Sequence, residues 1–382
     1  HEFKQLVSRN GKVRKWYEIL KKGTETVVDR ILITGVAPIT LDSLTSGFNI
    51  SSDKTKDVRF NEMLGFTKQE LIKLMEDQGF NQETQISLLP ILKENYDGYK
   101  FSIKAIEKIY NSNMCLYLIN NYKEFNCLPE TLVDVNIASD YSKLGKMLDI
   151  CEGKNRLQIL EKAISGEGII TEISEKFNPE IGFGEKEFAS MLFYLGYLTI
   201  DGEEFGFAKL KVPNKIMKEM YSDYFLKIIN SEMNISIDNE YTKIAKEIAL
   251  DGKIDIIIDL LHQYLNNLSN RDFQRFDEKY VKLICYCLVM NLKLFSIKSE
   301  LEVNRNYPDL LIVPRDRTKG YKSVMIEFKY LKKDEAGKLE EKQNEAREQI
   351  EKYGEFEDIK DIEGLSKYTV VVVNDEVYVE KI

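Results

Sequence analysis

The chain has 382 residues, of which 43% are hydrophobic and 31% charged, so it is long enough for two or three domains of an ordinary soluble protein. No apolar run approaches the roughly 20 residues of a membrane-spanning helix, and residues 1–5 resemble neither a signal peptide nor a transit peptide, which predicts a cytoplasmic protein without a membrane partner. The net charge of −9 argues against broad, nonspecific affinity for DNA but leaves room for a local basic groove.

The first predicted domain, residues 1–60, consists of a helix followed by a strand. Residues 16–20 end an amphipathic helix. The apolar run 27–34 suits a buried parallel strand that ends at Gly35, and a polar loop rich in Ser, Thr, Asp and Asn follows it.

The second predicted domain, residues 61–165, is expected to be mostly helical. Thr67 is a good N-cap for a helix over residues 68–75. Glu70 stands at the capping-box position, from which its carboxylate can accept a hydrogen bond from the N-cap amide. Asp97–Gly98 carries a turn signal.

The third predicted domain, residues 166–270, combines helices with a hairpin. The predicted elements are a helix at 186–195, a strand at 197–200, a turn at 201–204, a strand at 208–212, a helix at 214–229 and more helix at 240–265. A helix followed by a hairpin resembles a winged helix, a module that can bind DNA. Because this helix and wing are rich in Glu and Asp, a structural or protein-contact role is favoured over DNA recognition.

The fourth predicted domain, residues 271–382, has the clearest pattern. Its predicted elements are a helix at about 276–288, strands at 296–304, 309–313 and 322–329, a helix at about 334–353, and strands at 368–373 and 377–379. The predicted order is therefore α-β-β-β-α-β-β.

Histidine and cysteine are too sparse to support several kinds of catalysis. The chain contains two histidines, so Ser-His-Asp and Cys-His mechanisms lack a base. Its five cysteines form no CxxC pair, and they are predicted to be buried free thiols rather than zinc ligands or disulfides; they are Cys115, Cys127, Cys151, Cys285 and Cys287. Hydrolytic chemistry would have to use carboxylates, lysine and a metal ion.

Two of the predicted strands carry such groups. Asp309 begins one strand, and Glu327, Phe328 and Lys329 end the next. If the strands pair antiparallel, Asp309 and Lys329 lie near the same sheet edge. Glu327 and Lys329 are two residues apart and point to one face, whereas Phe328 points into the core.

This set of groups suits metal-assisted hydrolysis of a phosphodiester. Two carboxylates, Asp309 and Glu327, and the Phe328 carbonyl can bind Mg²⁺ or Mn²⁺, and Mg²⁺ usually keeps several waters. The metal would lower the pKa of a bound water, and Lys329 would position that water or stabilise developing negative charge.

A structural interpretation competes with this one, because a Glu-x-Lys pair on a strand is common and cross-strand charge pairs are usually solvated. Two observations favour a catalytic role for Glu327 and Lys329 over a purely structural one. Glu327 directly follows a buried apolar run, where an unpaired carboxylate is costly. The order of the flanking elements is also the one that such a site requires.

The chain resembles bacterial proteins that join an AAA-ATPase-like domain to a C-terminal PD-(D/E)XK nuclease-like domain. In the C-terminal part the resemblance lies in Ser299-Glu300, Pro308-Asp309-Leu310, Ile326-Glu-Phe-Lys-Tyr330 and the helix residues Gln349-Ile350 and Tyr353. It implies that Asp309, Glu327 and Lys329 are the metal-binding and catalytic residues. It further implies Glu278 as an accessory metal ligand, and Gln349 and Tyr353 as residues that complete the site. Where relatives commonly have Gly-Arg or Gly-Tyr before the motif Asp, this chain has Asn306-Tyr307-Pro308.

The N-terminal part resembles the ATPase-like half of such proteins. The resemblance lies in residues 31–40, 44–50, Gly65-Phe-Thr67 and Tyr96-Asp-Gly-Tyr99. Each Gly-Lys pair lacks the Ser or Thr and the upstream Gly of a phosphate-binding loop. The chain is therefore expected to begin after the nucleotide-binding residues and not to hydrolyse ATP alone; ATP would be a cofactor only with that upstream region.

The fold class that follows is α/β plus α. Residues 1–60 are a remnant of a P-loop-ATPase-like core, 61–165 a helical lid, 166–270 a winged-helix-like and helical linker region, and 271–382 a restriction-endonuclease-like αβββαβ domain. The leading hypothesis is a metal-dependent nuclease acting on DNA more readily than RNA, with homo-oligomerisation possible. The alternatives are a catalytically silent module that binds nucleic acid or protein, and a regulatory NTPase without its P-loop half.

Overall fold

The computed structural model describes residues 12–35, 52–129, 131–134, 155–175, 177, 184–237, 239–267, 277–299 and 307–382. The chain divides into two compact units. Unit 1 comprises His1–Ile159 and Glu167–Lys218, and unit 2 comprises Leu160–Gly166 and Glu219–Ile382. The four-domain division inferred from the sequence stays a prediction. Within the described ranges, no helix is long and apolar enough to cross a membrane.

The beginning of unit 1 differs from the sequence prediction. Helix α1 covers Lys12–Gly23, and residues 24–35 continue as turns and irregular chain rather than as a strand. Val27 is 85% exposed and Leu32 is 77% exposed, so the apolar run is not buried within the described structure. The predicted strand at 27–34 is therefore wrong. An apolar run forms a strand only where a neighbouring strand takes its backbone hydrogen bonds, and the described residues provide none for it.

Helices build the next part of unit 1. A short 3₁₀ helix covers Val58–Phe60, and the α-helices are α2 (Lys68–Asp77), α3 (Gln82–Tyr96), α4 (Ser112–Phe125) and α5 (Asn155–Ile164). The boundary between the units falls within α5. The predicted capping box is confirmed, because the Glu70 amide donates to Thr67 Oγ1 at 3.2 Å and the Thr67 amide donates to Glu70 Oε2 at 2.9 Å. Asn81 and Asn111 are the N-caps of α3 and α4, and the side chain of each accepts a hydrogen bond from a backbone amide in the first turn. The apolar faces share a core that includes Leu71, Met75, Leu88, Leu92, Tyr96, Met114, Leu118 and Ile119.

The predicted turn at Asp97–Gly98 ends α3 and begins a tight backbone approach. Gly98 has φ +106°, and a Cβ atom at this position would lie 2.0 Å from the carbonyl oxygen of Pro213. Asn214 Nδ2 donates to the Asp97 carbonyl at 3.0 Å, which holds the two segments together. Both the left-handed backbone and the close contact require glycine here.

A helix and a three-stranded sheet complete unit 1. They are β1 (Ile169–Thr171), α6 (Glu185–Tyr194), β2 (Thr199–Glu204) and β3 (Phe207–Lys211), with antiparallel sheet order β1-β3-β2. The hairpin is confirmed, but its turn lies at Phe205 and Gly206, which have φ of 53° and 84°. The predicted turn residues 201–204 instead belong to β2, where the register shifts between Ile200 and Gly202. A bulge accommodates the glycine inside the strand, so its turn signal was misleading.

Among the described residues, further helices lie between β3 and the helix that begins the C-terminal α/β region. They are α7 (Lys215–Met233), within which the boundary between the units falls, α8 (Glu240–Asp251) and α9 (Asp255–Asn266). Gly252 ends α8 with φ +61°, and its carbonyl accepts a hydrogen bond from Tyr368 Oη at 2.8 Å. The Lys322 amide donates to the Ala249 carbonyl at 3.0 Å. These bonds fix α8 against the strands of unit 2.

The end of unit 2 has the predicted α-β-β-β-α-β-β order. The elements are α10 (Glu278–Met290), β4 (Phe295–Lys298), β5 (Leu310–Pro314), β6 (Ser323–Leu331), α11 (Leu339–Gly354), β7 (Leu365–Val373) and β8 (Glu376–Lys381). Two 3₁₀ turns, Arg317–Lys319 and Lys333–Lys338, flank β6. The sheet order is β4-β5-β6-β7-β8. Only the β6–β7 pairing among these is parallel, and α11 is its crossover helix. The part of the first strand predicted beyond Ser299 lies outside the described residues.

Alternate residues of the central strand β6 serve two faces of the sheet. On one face Met325 packs with Leu311 and Val313 of β5 and with Ile350 of α11. Because side chains alternate along a strand, Phe328 points to the opposite face, where it is 1% exposed. Helix α10 packs against β5 and β6. The sheet is therefore a buried platform that the two helices help to cover.

The cysteine prediction holds for most of the described thiols. Cys115, Cys285 and Cys287 are buried and free, whereas Cys127 is exposed, so the prediction was wrong at that position. Cys127 follows the end of α4, where the chain leaves the packed helix surface. Cys151 lies outside the described residues. Burial raises the pKa of the Cys285 thiol, which makes it unreactive.

We expect Gly98→Ala to destabilise unit 1 more than Gly79→Ala. Both glycines have a positive φ, which costs alanine about 1–2 kcal/mol. A Cβ at Gly79 meets open space, whereas one at Gly98 collides with Pro213, and such overpacking adds roughly 1–3 kcal/mol or more. Urea unfolding followed by circular dichroism measures the difference. Equal losses for the two variants would contradict the close approach at Pro213.

Candidate active site

Strand pairing brings the two candidate carboxylates together. Leu310 of β5 pairs with Ile326 of β6. One step further along this antiparallel register, Asp309 stands opposite Glu327, and residues that oppose each other point to the same face. Both residues are buried, with Asp309 5% exposed and Glu327 3% exposed. Asp309 Oδ2 accepts a hydrogen bond from the Phe328 amide at 2.7 Å, which fixes the carboxylate against β6.

The candidate lysine contacts the second carboxylate rather than the first. Lys329 Nζ lies 2.9 Å from Glu327 Oε1, and both side chains are almost fully buried. The predicted common face of Glu327 and Lys329 is therefore observed. The sequence suggested that Asp309 and Lys329 lie near the same sheet edge. The strand register places Glu327 directly across from Asp309, and Lys329 lies two residues beyond Glu327 on the same strand.

Helix α10 contributes a further pair of charges. Lys282 Nζ lies 2.5 Å from Asp309 Oδ1 and 2.8 Å from Glu278 Oε1. Glu278 and Lys282 are four residues apart on the helix and so share one face. Glu278, the predicted accessory ligand, is thus linked to Asp309 through Lys282. Its side chain is 36% exposed, far more than either strand carboxylate.

Lys282 was not singled out by the sequence reasoning, although a signal for it exists. It is the only charged residue between Val281 and Met290, in a helix whose remaining residues over that stretch are all buried. A lone charge in such a run requires a partner, because an unpaired buried ammonium is costly. That partner could be identified only from the tertiary structure.

Burial and mutual repulsion dominate the electrostatics of the site. Burial, and then the charge of Glu327, raises the pKa of Asp309 well above its usual value, although Lys282 and the Phe328 amide oppose this. Burial also raises the pKa of Glu327 against the attraction of Lys329 and Lys282. Burial alone would lower the pKa of Lys282, but the Asp309 and Glu278 carboxylates raise it above its ordinary value. The carboxylates therefore depend on nearby cations to stay ionised.

Among the described residues, Glu327 Oε2 and Gln349 Oε1 are buried oxygens without a hydrogen-bond partner. Gln349 belongs to α11, the helix that packs against β6 and β7. Tyr353, one turn further along, packs its ring against Phe356 with centroids 5.5 Å apart and joins the apolar cluster around Met325. An unpartnered buried oxygen is rare in native proteins, and a functional site is one place where it occurs.

The donor set suits a small hard cation with water ligands. Within the part of the chain that the structure describes, no group of three or more His, Cys, Asp and Glu side chains is arranged to hold a metal ion. Two carboxylates and a backbone carbonyl are nevertheless enough for Mg²⁺, which retains several waters and takes few protein ligands. Glu327 Oε2 offers a buried oxygen without a competing hydrogen bond. The residues therefore fit such an ion at Asp309, Glu327 and the Phe328 carbonyl.

We expect Lys329→Met to lower the free energy of unfolding by about 3–5 kcal/mol, because it leaves Glu327 buried beside Asp309 without its ammonium partner. Lys338→Met is the matched control. Lys338 pairs with Glu335 at 3.2 Å, but the pair is exposed, and such pairs contribute about 0–1 kcal/mol. Urea titration of both variants tests this. A loss below about 1 kcal/mol for Lys329→Met would mean that the buried pair is not formed.

Comparison with known proteins gives one finding for the region that holds this site. Residues 276–381 match the family model of the PD-(D/E)XK nuclease superfamily. The match begins two residues before α10 and ends at the last residue of β8, so it includes both helices and all five strands of the sheet. None of the curated proteins matches the chain. The C-terminal part of the chain is a PD-(D/E)XK nuclease superfamily domain with a mixed sheet, and this superfamily generally comprises metal-dependent nucleases.

Proposed function

We propose that the C-terminal domain hydrolyses phosphodiester bonds of nucleic acid with the aid of Mg²⁺ or Mn²⁺, and that DNA is its preferred substrate. The observation that supports this most is the buried cross-strand pair Asp309 and Glu327 with Lys329 beside it, in a domain of a nuclease superfamily. Two acids and a lysine at one buried position are an expensive arrangement for stability alone. A role in metal binding and catalysis accounts for the presence of these three charged residues in a buried site.

The proposed roles follow from the contacts. Asp309, Glu327 and the Phe328 carbonyl would hold the metal, which supplies charge neutralisation and a water of lowered pKa. The Phe328 amide holds one oxygen of Asp309 in place, and Lys329 holds one oxygen of Glu327. These bonds orient the carboxylates before any ligand arrives, which is how a preorganised site avoids reorganisation during reaction.

Lys329 has a second proposed role at the scissile phosphate. Its ammonium lies on the same face as Glu327 and is nearly buried, so its charge acts through a medium of low dielectric constant. It would orient the attacking water or stabilise the negative charge that develops on the phosphate. Lysine provides a compact point charge for this purpose rather than the planar fork of arginine.

A catalytically silent binding module is the second candidate, and one contact favours it. Lys282 Nζ and the Phe328 amide together engage both oxygens of Asp309. A carboxylate whose oxygens are both occupied can serve as a structural element without ever binding metal. The total charge of −9 also counts against broad electrostatic attraction to a polyanion.

The remaining expectations concern the context of the domain. We propose that it belongs to a bacterial protein of the cytoplasm in which it is joined to an AAA-ATPase-like module, with ATP bound only by an upstream P-loop region. The support is the resemblance of residues 31–40, 44–50 and Tyr96–Tyr99 to that module. Buried free thiols at Cys285 and Cys287 support a reducing compartment. Self-association of the chain is also proposed and is open to measurement by analytical ultracentrifugation.

A cleavage assay tests the proposed activity. The chain is incubated with supercoiled plasmid, linear DNA, single-stranded DNA and RNA in Mg²⁺, Mn²⁺ or EDTA, beside Asp309→Asn and Lys329→Ala. We expect metal-dependent cleavage that each substitution lowers by roughly hundredfold or more, since each removes a group that acts on developing charge. Lys338→Ala, an exposed lysine in the 3₁₀ turn after β6, should cut like the wild type.

Three results of this assay would count against a nuclease. Cutting that survives Asp309→Asn would come from another site or from a contaminant. Cutting in EDTA would exclude the metal mechanism. If the wild type cleaves none of the substrates but binds them tightly and in a salt-sensitive manner, the domain is a catalytically inactive binding module.

We also expect Gln349→Leu to lower the cleavage activity without lowering the stability of the protein. The buried Gln349 Oε1 has no hydrogen-bond partner, so replacing the amide with an apolar group should leave stability unchanged or raise it by about 1 kcal/mol. If Gln349 completes the site, cleavage falls while the melting temperature does not. Gln343→Leu, on the same helix but ahead of the site, is the control for helix substitution. A less stable, fully active Gln349→Leu would assign the residue to structure alone.

A further inference from the structure

The ammonium of Lys282 lies against the buried carboxylate of Asp309. It contacts Asp309 Oδ1 at 2.5 Å, and it also contacts Glu278, which belongs to its own helix. The Asp309 carboxylate is 2% exposed, so water cannot replace this partner to any large extent. Lys282 therefore supplies Asp309 with the compensation that a bound cation would otherwise give.

Lys282 and a divalent cation at Asp309 would compete for the same oxygen. Asp309 Oδ2 already accepts from the Phe328 amide, which leaves Oδ1, the atom that Lys282 holds, as the second oxygen for a metal. Two cations within a few ångströms of one another repel strongly in a buried site. A metal ion and the Lys282–Asp309 contact therefore oppose each other.

Glu278 offers Lys282 an alternative partner. It lies one helical turn earlier on the same face of α10, and its carboxylate is already 2.8 Å from Lys282 Nζ. A change of the lysine side-chain conformation would let Lys282 leave Asp309 while it keeps its contact with Glu278. Glu278 is also the more exposed of the two acids, so water can solvate the ion pair that remains.

We propose that Lys282 is a built-in counter-cation that limits metal binding at Asp309, and that Glu278 acts as the partner that retains Lys282 when the metal enters. This proposal rests on the metal site of the proposed function. It makes Lys282 a positioning residue rather than a catalytic one. It also gives Glu278 a different role from that of an accessory metal ligand, because its contact is to the lysine.

The test is the affinity of the full chain for Mn²⁺, measured from the electron paramagnetic resonance signal of the free ion. Lys282→Met and Lys282→Gln remove the competing charge, and either one suffices if the other fails to fold. We expect the Kd for Mn²⁺ to fall by about tenfold or more, because close ion pairs in protein sites commonly contribute at least that factor. Lys282→Arg keeps the charge and should retain the wild-type Kd.

Lys279→Met is the matched control on the same helix. Lys279 pairs with Glu161 at 2.9 Å and is partly buried. Its loss should leave the Kd unchanged. Thermal unfolding provides a second measurement: without metal Lys282→Met should melt below the wild type, and Mn²⁺ should raise its melting temperature more than that of the wild type.

A double-mutant comparison tests the role of Glu278. If Glu278 acts only through Lys282, Glu278→Gln weakens Mn²⁺ binding in the wild-type chain and has no effect in the Lys282→Met chain. Weakening of equal size in both chains would make Glu278 a metal ligand and overturn that half of the proposal.

The outcomes distinguish this inference from the proposed function. Asp309-dependent Mn²⁺ binding by the wild type that is unchanged or weaker in Lys282→Met would overturn the counter-cation role and leave the metal site standing. If no variant binds Mn²⁺ at millimolar concentration, the metal site and this inference both fail. Binding by Lys282→Met that is lost on adding Asp309→Asn supports the inference directly.

Discussion

Asp309 and Glu327 are carboxylates buried side by side, and their repulsion is the constraint that the surrounding domain has to satisfy. Removing a charge from water is costly, and placing two like charges together adds to that cost. Three groups offset this cost: Lys282 from α10, Lys329 from β6, and the backbone amide of Phe328. The position of α10 against the sheet is thus coupled to the charge of the site.

The central strand β6 combines stability and chemistry through side-chain alternation. Met325, Glu327 and Lys329 share one face of the strand, where Met325 packs into the apolar cluster beneath α11, whereas Phe328 fills the opposite face. The strand pairs along its length with β7 and at its first half with β5. Because its backbone is held on both sides, the charged side chains extend from a rigid base. Such support is what a preorganised site requires.

Under the proposed competition between lysine and metal, the site would have two states that differ in the cation beside Asp309. In the structure that cation is Lys282, which the chain itself supplies. With a divalent ion in place, the lysine would keep Glu278, its neighbour on the helix, as its partner. Such an arrangement would let the domain stay folded without metal. A site of three or more bare carboxylates would be much less stable in that condition.

The sequence by itself determined the local elements and the three residues of the motif. Alternating or continuous apolar runs identified β5, β6 and β7, helical spacing identified α10 and α11, and the Thr67–Glu70 capping box was recognisable from two residues. These features depend on neighbours within about four positions, so a linear pattern contains them. A linear pattern fails where the local structure depends on a distant strand or helix. The apolar run at 27–34 forms no strand, and Gly202 lies in a bulge of β2 rather than in a turn.

Only the tertiary structure decided how the motif residues meet. The register of β5 on β6, rather than the spacing of Asp309 and Glu327, sets them opposite each other. Lys282 is 27 positions from Asp309 in the chain, and no pattern links the two before α10 packs against the sheet. Tyr353 likewise lies beside the apolar cluster around Met325, which its position in the sequence did not predict, and its role in the site stays a prediction. Pairing across strands and between a helix and a sheet is a long-range property, because it depends on which surfaces bury one another.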